Sequence, residues 1–167
     1  ILETAKVKYT HSGVLASYIA MDKEISKKLF LKNKITTPKY IKYKFQKNNL
    51  IKKKIIFTVK KKLKFPVVIK PINEGSSVNV YICNKKNLIQ NLKKLLQYKE
   101  ILIEEYIPGR EIQVAILGEK KLGAIELIPK RKFYDYEAKY NVKAKTKHVI
   151  PVDLSKKNLN KVMNIAL

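Results

Sequence analysis

A loop between two predicted strands carries the residues best suited to chemistry. The stretch "KPINEGSSVNV", residues 70–80, places a lysine, an acid, a glycine and two serines between β-branched runs. Backbone N–H groups and hydroxyls in such a turn suit an anion, Gly75 permits close backbone approach, and Lys70 adds positive charge. It is not a P-loop, because strand-like sequence follows it. Such a hairpin can fold over a triphosphate, but this stretch alone favours the alternative, a plain hairpin turn with a solvated lysine.

A second segment, "ILIEEYIPGREI", has the groups that recognise a nucleoside. We expect a strand whose last residues, Glu104, Glu105, Tyr106 and Ile107, form an extended edge. Backbone donors and acceptors on such an edge suit an adenine ring. Glu111, after the Pro-Gly turn, is placed to accept from ribose hydroxyls. The alternative is an ordinary strand that ends in exposed acids.

A third segment, "FYDYEAKY", residues 133–140, has three tyrosines, two acids and Lys139. Tyrosine hydroxyls that become covered need hydrogen-bond partners. We therefore expect this polar loop, residues 132–148, to dock on another part of the protein. The alternative is a tyrosine-rich surface loop.

The elements that must position these residues are predicted from periodicity and turn residues. Residues 46–64 have no clear pattern, and no strict βαβ alternation is present, so we predict an α+β fold. The predicted elements are a strand-like opening and two helices in 6–34, the second capped by Asp22; strands at 35–45, 65–71, 77–84 and 100–107; a helix at 84–99 capped by Asn84; and a hairpin at 110–130 that turns near Gly118.

Charge and composition narrow the class of protein. The net charge is +24, but only two of the 37 basic residues are arginines. Nucleic-acid readers depend on arginine, so we predict no nucleic-acid partner and retain a basic nucleic-acid-binding module as the alternative. No apolar run reaches the length of a membrane span, so we predict no membrane partner. The single Cys83 fits a reducing, cytoplasmic location.

Both ends of the sequence suggest a piece of a longer protein. The first residue is Ile1 rather than Met, and the final stretch "SKKNLNKVMNIAL" has helical spacing with no glycine or proline stop. Asp153 or Ser155 is the expected cap of this helix. We expect an internal fragment.

Four motifs together resemble a known family. "YTHSGVLASYIAMDK", "VIKPINEGSSV", "ILIEEYIPGREIQVAILG" and "FYDYEAKY" occur in the order and spacing of bacterial D-alanine–D-alanine ligases, which belong to the ATP-grasp superfamily. The resemblance covers essentially the whole chain. It implies that residues 1–22 end an N-terminal α/β domain, 23–109 form the central ATP-grasp subdomain and 110–167 begin the C-terminal one, with ATP gripped by the last two.

The resemblance also implies roles for individual residues. Lys23 and Lys70 match lysines that contact nucleotide phosphate, and Lys139 matches one that reaches the transferred phosphate. Ser76, Lys139 and Tyr140 match catalytic positions, with Tyr140 bonded to the Ser76 relay. The implied ATP contacts are Lys23, Lys70, Glu74, Gly75, Ser76, Ser77, Val78, Glu104, Glu105, Tyr106, Ile107, Glu111 and Lys139. Asn79 stands where the family usually has glycine, and asparagine tolerates left-handed backbone angles better than most residues.

The family's chemistry is the ATP-dependent joining of two D-alanines through a D-alanyl phosphate, for peptidoglycan synthesis. The resemblance implies Mg²⁺ or Mn²⁺ ligands beyond Leu167 and none in this chain, an inactive fragment, and a homodimer when full length. The open alternatives are a D-alanine–D-lactate ligase, another carboxylate–amine ligase and a degenerate ATP-grasp remnant. Tyr140 favours the dipeptide, because in the family the tyrosine of "EAKY" goes with amine acceptors.

Overall fold

The chain forms two compact units, each built on an antiparallel sheet. The computed structural model describes residues 1–45, 51, 54–130, 136–141 and 145–167. Unit 1 comprises Ile1–Gly75 and Asn79–Tyr106, and unit 2 comprises Ser76–Val78 and Ile107–Leu167. Helices mix with strands whose hydrogen-bonded pairings, among the described residues, are all antiparallel, so the predicted α+β class is confirmed.

Unit 1 is a four-stranded sheet with helices on both faces. The strand order is β1-β4-β2-β3, and every pairing is antiparallel. Its helices are α1 (Val14–Met21), α2 (Lys23–Lys32), α3 (Lys54–Lys62) and α4 (Leu88–Lys93); its strands are β1 (Tyr40–Lys44), β2 (Val67–Pro71), β3 (Tyr81–Cys83) and β4 (Glu100–Glu105).

The core of unit 1 lies on one face of the sheet. Ile101 and Ile103 of β4 pack in one cluster with Val59 of α3 and Leu92 of α4. Side chains alternate along a strand, so Glu104 points to the opposite face, where it meets α2. Cys83 lies in the core cluster, where burial raises the pKa of its thiol.

The start of α2 is fixed by its cap, as the sequence predicts. Asp22 Oδ1 accepts hydrogen bonds from the backbone N–H groups of Glu24 (2.8 Å) and Ile25 (2.9 Å). These are two of the donors that a helix leaves unpaired at its first turn. The cap therefore fixes the position of Lys23, which is the first residue of α2.

The predicted hairpin around the phosphate-type loop is confirmed, but its second strand is shorter than predicted. Strand β2 pairs with β3 from Val67↔Cys83 to Ile69↔Tyr81. The predicted strand at 77–84 was wrong for residues 77–80, because the backbone is left-handed at Ser77 and Asn79 and such angles break a strand.

Unit 2 is a three-stranded sheet carrying a C-terminal helix. Its strands are β5 (Glu111–Leu117), β6 (Lys120–Ile128) and β7 (Lys147–Val149), in the order β5-β6-β7; its helices are α5 (Tyr136–Tyr140) and α6 (Lys156–Ala166). The predicted β5–β6 hairpin is confirmed, with Gly118 in the turn at a φ of +58°. Ser155 caps α6 by accepting from Asn158 N–H, so it is Ser155 rather than Asp153 that is the cap.

Other predictions were wrong in detail. Residues 1–12, all described, contain no strand, because a single short strand without a partner is not stable. Residues 54–62 form a helix that the sequence pattern did not reveal. Helix α4 begins at Leu88, although Asn84 Oδ1 does accept from the N–H groups of Lys86 and Asn87 just before it.

The predicted polar loop at 132–148 is described only in part. It contains the short helix α5, while residues 131–135 and 142–144 lie outside the described residues. Across the described ranges, no helix combines the length and apolar character needed to cross a membrane.

Candidate functional site

The loop at 72–80 has an unusual backbone. Ser76, Ser77 and Asn79 have φ angles of +50°, +60° and +56°. The left-handed region favours glycine, yet none of these residues is glycine. Among the described residues, and apart from its two chain neighbours, no residue has an atom within 4 Å of a Cβ built on Gly75. The open space beside Gly75 is room that a ligand could occupy.

Lys23 holds the first half of this loop. Its Nζ donates to the carbonyl of Ile72 at 3.0 Å and also to the carbonyl of Glu74. Burial lowers the pKa of Lys23, and repulsion from Lys70 lowers it further. The lysine pair thus carries positive potential that a bound anion would relieve.

Lys70 is part of a buried chain of charges. Its Nζ donates to Glu104 Oε1, and Glu104 is only 6% exposed. The other oxygen, Oε2, lies 2.8 Å from Lys27 Nζ as an ion pair and accepts no hydrogen bond from the described residues. Lys27 is buried and also donates to Thr37 Oγ1 and the Pro38 carbonyl. One carboxylate therefore positions two lysines.

The segment predicted to bind adenine does not lie at the edge of its sheet up to and including Glu105. Strand β4 lies between β1 and β2, and four consecutive residues of it, Ile101 to Glu104, are buried. Glu105 N–H donates to the Lys39 carbonyl at 3.0 Å, and Tyr106 N–H donates to the Pro66 carbonyl at 3.2 Å. The prediction of an open edge was wrong for these groups. Ile107, which follows them, is 61% exposed.

In unit 2, two of the predicted catalytic residues meet. The hydroxyls of Ser76 and Tyr140 are 2.5 Å apart, and either can donate. The Tyr140 ring also lies against that of Tyr136, with centroids 4.8 Å apart. Helix α5 is what brings Tyr140 to this place, since it turns "YEAKY" into a compact helical segment.

Glu111 and Lys139 influence each other in the same unit. Burial raises the pKa of Glu111, and the positive charge of Lys139 opposes that rise. Glu111 begins β5, directly after Arg110. Arg110 makes a paired contact with Glu126, 2.6 Å from Nε to Oε1 and 2.5 Å from Nη2 to Oε2, and donates to the Asp153 carbonyl. This clamp fixes the start of the strand that carries Glu111.

The predicted residues thus fall into two groups. Unit 1 places Lys23, Lys70, Glu74 and Glu104 around one end of the sheet, and unit 2 places Ser76 against Tyr140 and Lys139 in the field of Glu111. Among the contacts that the structure describes, Val78, Glu105, Tyr106 and Ile107 join no shared side-chain cluster.

Sequence reasoning missed Lys27 and Tyr98. Lys27 lies one helical turn after Lys23, a spacing that places both on one face of α2, and this spacing was the available signal. Tyr98, which donates to Glu74 Oε1 at 3.0 Å, belongs to no motif. Glu74 and Tyr98 also line a cleft of about 650 Å³.

A metal site and a phosphate site require different groups of side chains. The described residues contain no group of three or more histidine, cysteine, aspartate or glutamate side chains close enough to hold a metal ion. Two neighbouring ammonium groups and the open space at Gly75 are the features expected of a phosphate site.

Comparison with known proteins then decides the family. The family model described as "D-ala D-ala ligase C-terminus" matches residues 29–167. The chain belongs to this family. The resemblance drawn from the four motifs is therefore confirmed.

Individual members of the family agree. The D-alanine–D-alanine ligase of Pelagibacter ubique (strain HTCC1062) is 71% identical over 166 residues, which are 99% of this chain and 54% of that protein. A crystal structure of the Bacillus anthracis D-alanine–D-alanine ligase superposes with a TM-score of 0.78 at 35% identity, covering 99% of this chain and 52% of that one. A crystal structure of the same ligase complexed with ATP superposes with a TM-score of 0.74 at 33% identity, covering 99% of this chain and 51% of that one.

Two conclusions follow from these matches. The ATP-grasp fold predicted from the D-alanine–D-alanine ligase motifs is confirmed. The chain spans about half the length of the relatives that it matches.

Proposed function

We propose that the protein to which this chain belongs is a D-alanine–D-alanine ligase. The observation that carries the proposal is the 2.5 Å contact between Ser76 and Tyr140, which joins two of the motifs across 64 positions of sequence. The resemblance implies this same contact between a phosphate-loop serine and the tyrosine of "EAKY". The similarity to relatives of that name supports it.

The described residues would act mainly by positioning and charge. In the reaction, a carboxylate oxygen of the first D-alanine attacks the γ-phosphorus of ATP, and the bond to ADP breaks. The amine of the second D-alanine then attacks the carbonyl carbon of the acyl phosphate, loses a proton, and inorganic phosphate leaves. Lys23, Lys70 and Lys139 would offset the charge that builds on the phosphoryl oxygens.

Ser76 and Tyr140 would hold the loop and α5 together while the acyl phosphate exists. A closed loop keeps water from the acyl phosphate, which water would otherwise hydrolyse. Glu74, Gly75, Ser77 and Val78 would cover the phosphates. Glu104, Glu105, Tyr106, Ile107 and Glu111 would receive the nucleoside; at Glu104 the side chain would act through Lys70, because its oxygens face lysines.

The wider assignment follows the same resemblance. We propose an enzyme that works in the cytoplasm as a homodimer and supplies peptidoglycan precursor, and hence cell shape. Mg²⁺ or Mn²⁺ would neutralise phosphate charge, held by residues outside this chain. The proposed domains are 1–22, 23–109 and 110–167, and the division of contacts after Tyr106 supports the second boundary.

The test uses the protein translated from the complete reading frame that contains these 167 residues. Purified protein is given ATP with D-alanine alone, or with D-alanine and D-lactate, and products are identified by mass spectrometry. We expect one ADP and one phosphate for each D-alanyl-D-alanine. Preferential D-alanyl-D-lactate would overturn the choice of acceptor. If folded protein forms neither D-alanyl-D-alanine nor D-alanyl-D-lactate, the proposal of a ligase is overturned.

A further inference from the structure

The loop at 75–78 has a strained backbone that its neighbours must hold. Ser76, Ser77 and Asn79 all adopt left-handed angles. Residues in such conformations persist where the surrounding structure fixes them in more than one way. Gly75 is not among the left-handed residues, so the strain falls on side-chain-bearing positions. Contacts at the two ends of the loop are therefore the place to look for what holds it.

A chain of side-chain hydrogen bonds joins those two ends. Tyr98 OH donates to Glu74 Oε1 at 3.0 Å and accepts from Asn79 Nδ2 at 2.7 Å. Tyr81 OH donates to Asn79 Oδ1 at 3.2 Å. All four side chains are half-buried. Glu74 precedes residues 75–78 and Asn79 follows them, so the Tyr98 hydroxyl bridges the base of the loop.

The chemistry of the groups fixes the direction of every bond. A tyrosine hydroxyl has one proton, and Tyr98 gives that proton to the carboxylate of Glu74. The group facing Tyr98 from the other side must then be a donor, which is the Asn79 NH₂ and not its carbonyl. The Asn79 carbonyl consequently faces Tyr81, which can donate. An asparagine satisfies both neighbours, whereas a glycine or an aspartate does not.

A second set of hydrogen bonds, from Lys23, holds the first end of the loop. Lys23 Nζ donates to the carbonyls of Ile72 and Glu74, so Glu74 is fixed by its backbone as well as by its carboxylate. At the second end Asn79 is the link, through both ends of its amide. Losing Asn79 would leave that end without its side-chain anchors to Tyr98 and Tyr81.

We propose that Asn79, Tyr98 and Glu74 form a clasp across the base of the loop, and that Asn79 is a positioning residue for nucleotide polyphosphate. This inference rests on the proposed function, in which residues 75–78 cover the phosphates of ATP. The clasp orders the loop before the nucleotide arrives, which reduces the entropy lost on binding. Asn79 acts through the geometry of the loop.

The central variant is Asn79→Gly in the protein from the complete reading frame. Glycine adopts a φ of +56° at no steric cost, so the backbone stays possible while both amide hydrogen bonds are lost. Asn79→Asp keeps an acceptor for Tyr81 but has no donor for Tyr98. Tyr98→Phe removes the bridging hydroxyl. Asn73→Gly is the control for adding a glycine, because Asn73 is exposed and lies just before Glu74 and the loop.

Two measurements test the existence of the clasp and its role in nucleotide binding separately. The first is amide hydrogen exchange of residues 75–78 without ligand. We expect exchange to rise roughly 2- to 10-fold in Asn79→Asp, the range of one net hydrogen bond, and by more in Asn79→Gly and Tyr98→Phe, which each lose two. In Asn73→Gly we expect it to stay at the wild-type level. The second is the KM for ATP, which we expect to rise by a similar factor while the KM for D-alanine changes less.

The outcomes are distinguishable. Equal exchange in Asn79→Gly and Asn73→Gly would overturn the clasp. Faster exchange with an unchanged KM for ATP would overturn the positioning role. If wild-type protein fails to bind ATP, the proposed function fails, and the exchange data alone still decide whether the clasp exists. A double variant, Asn79→Gly with Tyr98→Phe, should lose less protection against exchange than the sum of the two single variants, because the Asn79–Tyr98 hydrogen bond is removed by both.

Discussion

At the scale of single residues, the site is built from pairs whose members are far apart in the sequence. Ser76 meets Tyr140, and Lys70 meets Glu104, across 64 and 34 positions. Motifs identified which residue types were present and in what order. They did not identify the buried partner Lys27 or the bridging Tyr98, because pairing of this kind depends on tertiary packing that local sequence does not encode.

The Ser76–Tyr140 contact predicts a non-additive pair of variants. Ser76→Ala and Tyr140→Phe should each lower kcat/KM about 2- to 10-fold, the range of one net hydrogen bond. The double variant should be no worse than either one, since both remove the same bond. Steady-state phosphate release with D-alanine measures this. Tyr136→Phe, which removes a hydroxyl from the same helix, should have little effect. Additive losses in the double variant would contradict the contact.

Glu111 predicts a pH dependence of nucleotide affinity. Burial raises the pKa of Glu111 above the ordinary value of 4.5, so it loses its charge at a higher pH than an exposed glutamate. A ribose hydroxyl donates best to the ionised carboxylate. Affinity for an ATP analogue should therefore weaken as pH falls through that raised pKa, and Glu111→Gln should remove this dependence. Calorimetric titration at several pH values checks it; an identical profile in Glu111→Gln would refute it.

The same shift has the opposite sign for stability. A carboxyl whose pKa is raised in the folded protein binds its proton more tightly there than in the unfolded chain. Its contribution to the free energy of unfolding is therefore present below pH 4.5 and is lost as pH rises through the folded pKa. Ionised Glu111 therefore favours nucleotide binding at higher pH, whereas protonated Glu111 favours the folded state at lower pH.

At the scale of elements, much of the fold could be predicted and some could not. Asp22 as a cap, the β-branched run of β2 and the turn at Gly118 are local signals, and each prediction was confirmed. The central position of β4 could not be predicted, because its partners β1 and β2 are set by long-range pairing. Helix α3 was missed because its apolar residues, such as Ile55 and Val59, stand among lysines.

The link between α2 and β4 predicts a large loss of stability. Lys27→Met leaves the Glu104 carboxylate buried with one oxygen unpaired, and breaking a buried ion pair in this way costs about 3–5 kcal/mol. Lys28→Met is the matched control, because Lys28 makes an exposed pair with Glu24 and such pairs contribute about 0–1 kcal/mol. Urea unfolding of the protein from the complete reading frame measures both. Adding Glu104→Gln to Lys27→Met should recover part of the loss; equal midpoints for Lys27→Met and Lys28→Met would contradict the link.

At the scale of the whole molecule, the net charge of +24 must be reconciled with the proposed ligase activity. Glu104 and Glu126 are buried against basic partners, while most lysines are exposed. A basic surface attracts nucleic acid through counterion release, without sequence preference and with steep salt dependence. The composition alone therefore leaves the nucleic-acid alternative open, and family membership is what supports the ligase proposal.

This charge predicts weak, non-specific DNA binding. Binding of the protein to a short DNA duplex should be detectable at about 50 mM salt and lost by about 200 mM. Contacts to phosphate weaken strongly over this range of salt concentration. Lys70→Ala should change it no more than Lys61→Ala, an exposed lysine of α3. Fluorescence anisotropy measures the affinity. Sequence-specific binding that survives at 200 mM salt would favour the nucleic-acid-binding module.

The most direct test is a crystal structure of the protein from the complete reading frame with a non-hydrolysable ATP analogue. The account predicts phosphate oxygens within about 3 Å of Lys70 Nζ and of the loop that holds Ser76, a normal hydrogen-bond distance. It also predicts that Lys23 takes part in the same phosphate contacts. A nucleotide bound elsewhere, with Lys70 still paired only with Glu104, would contradict it.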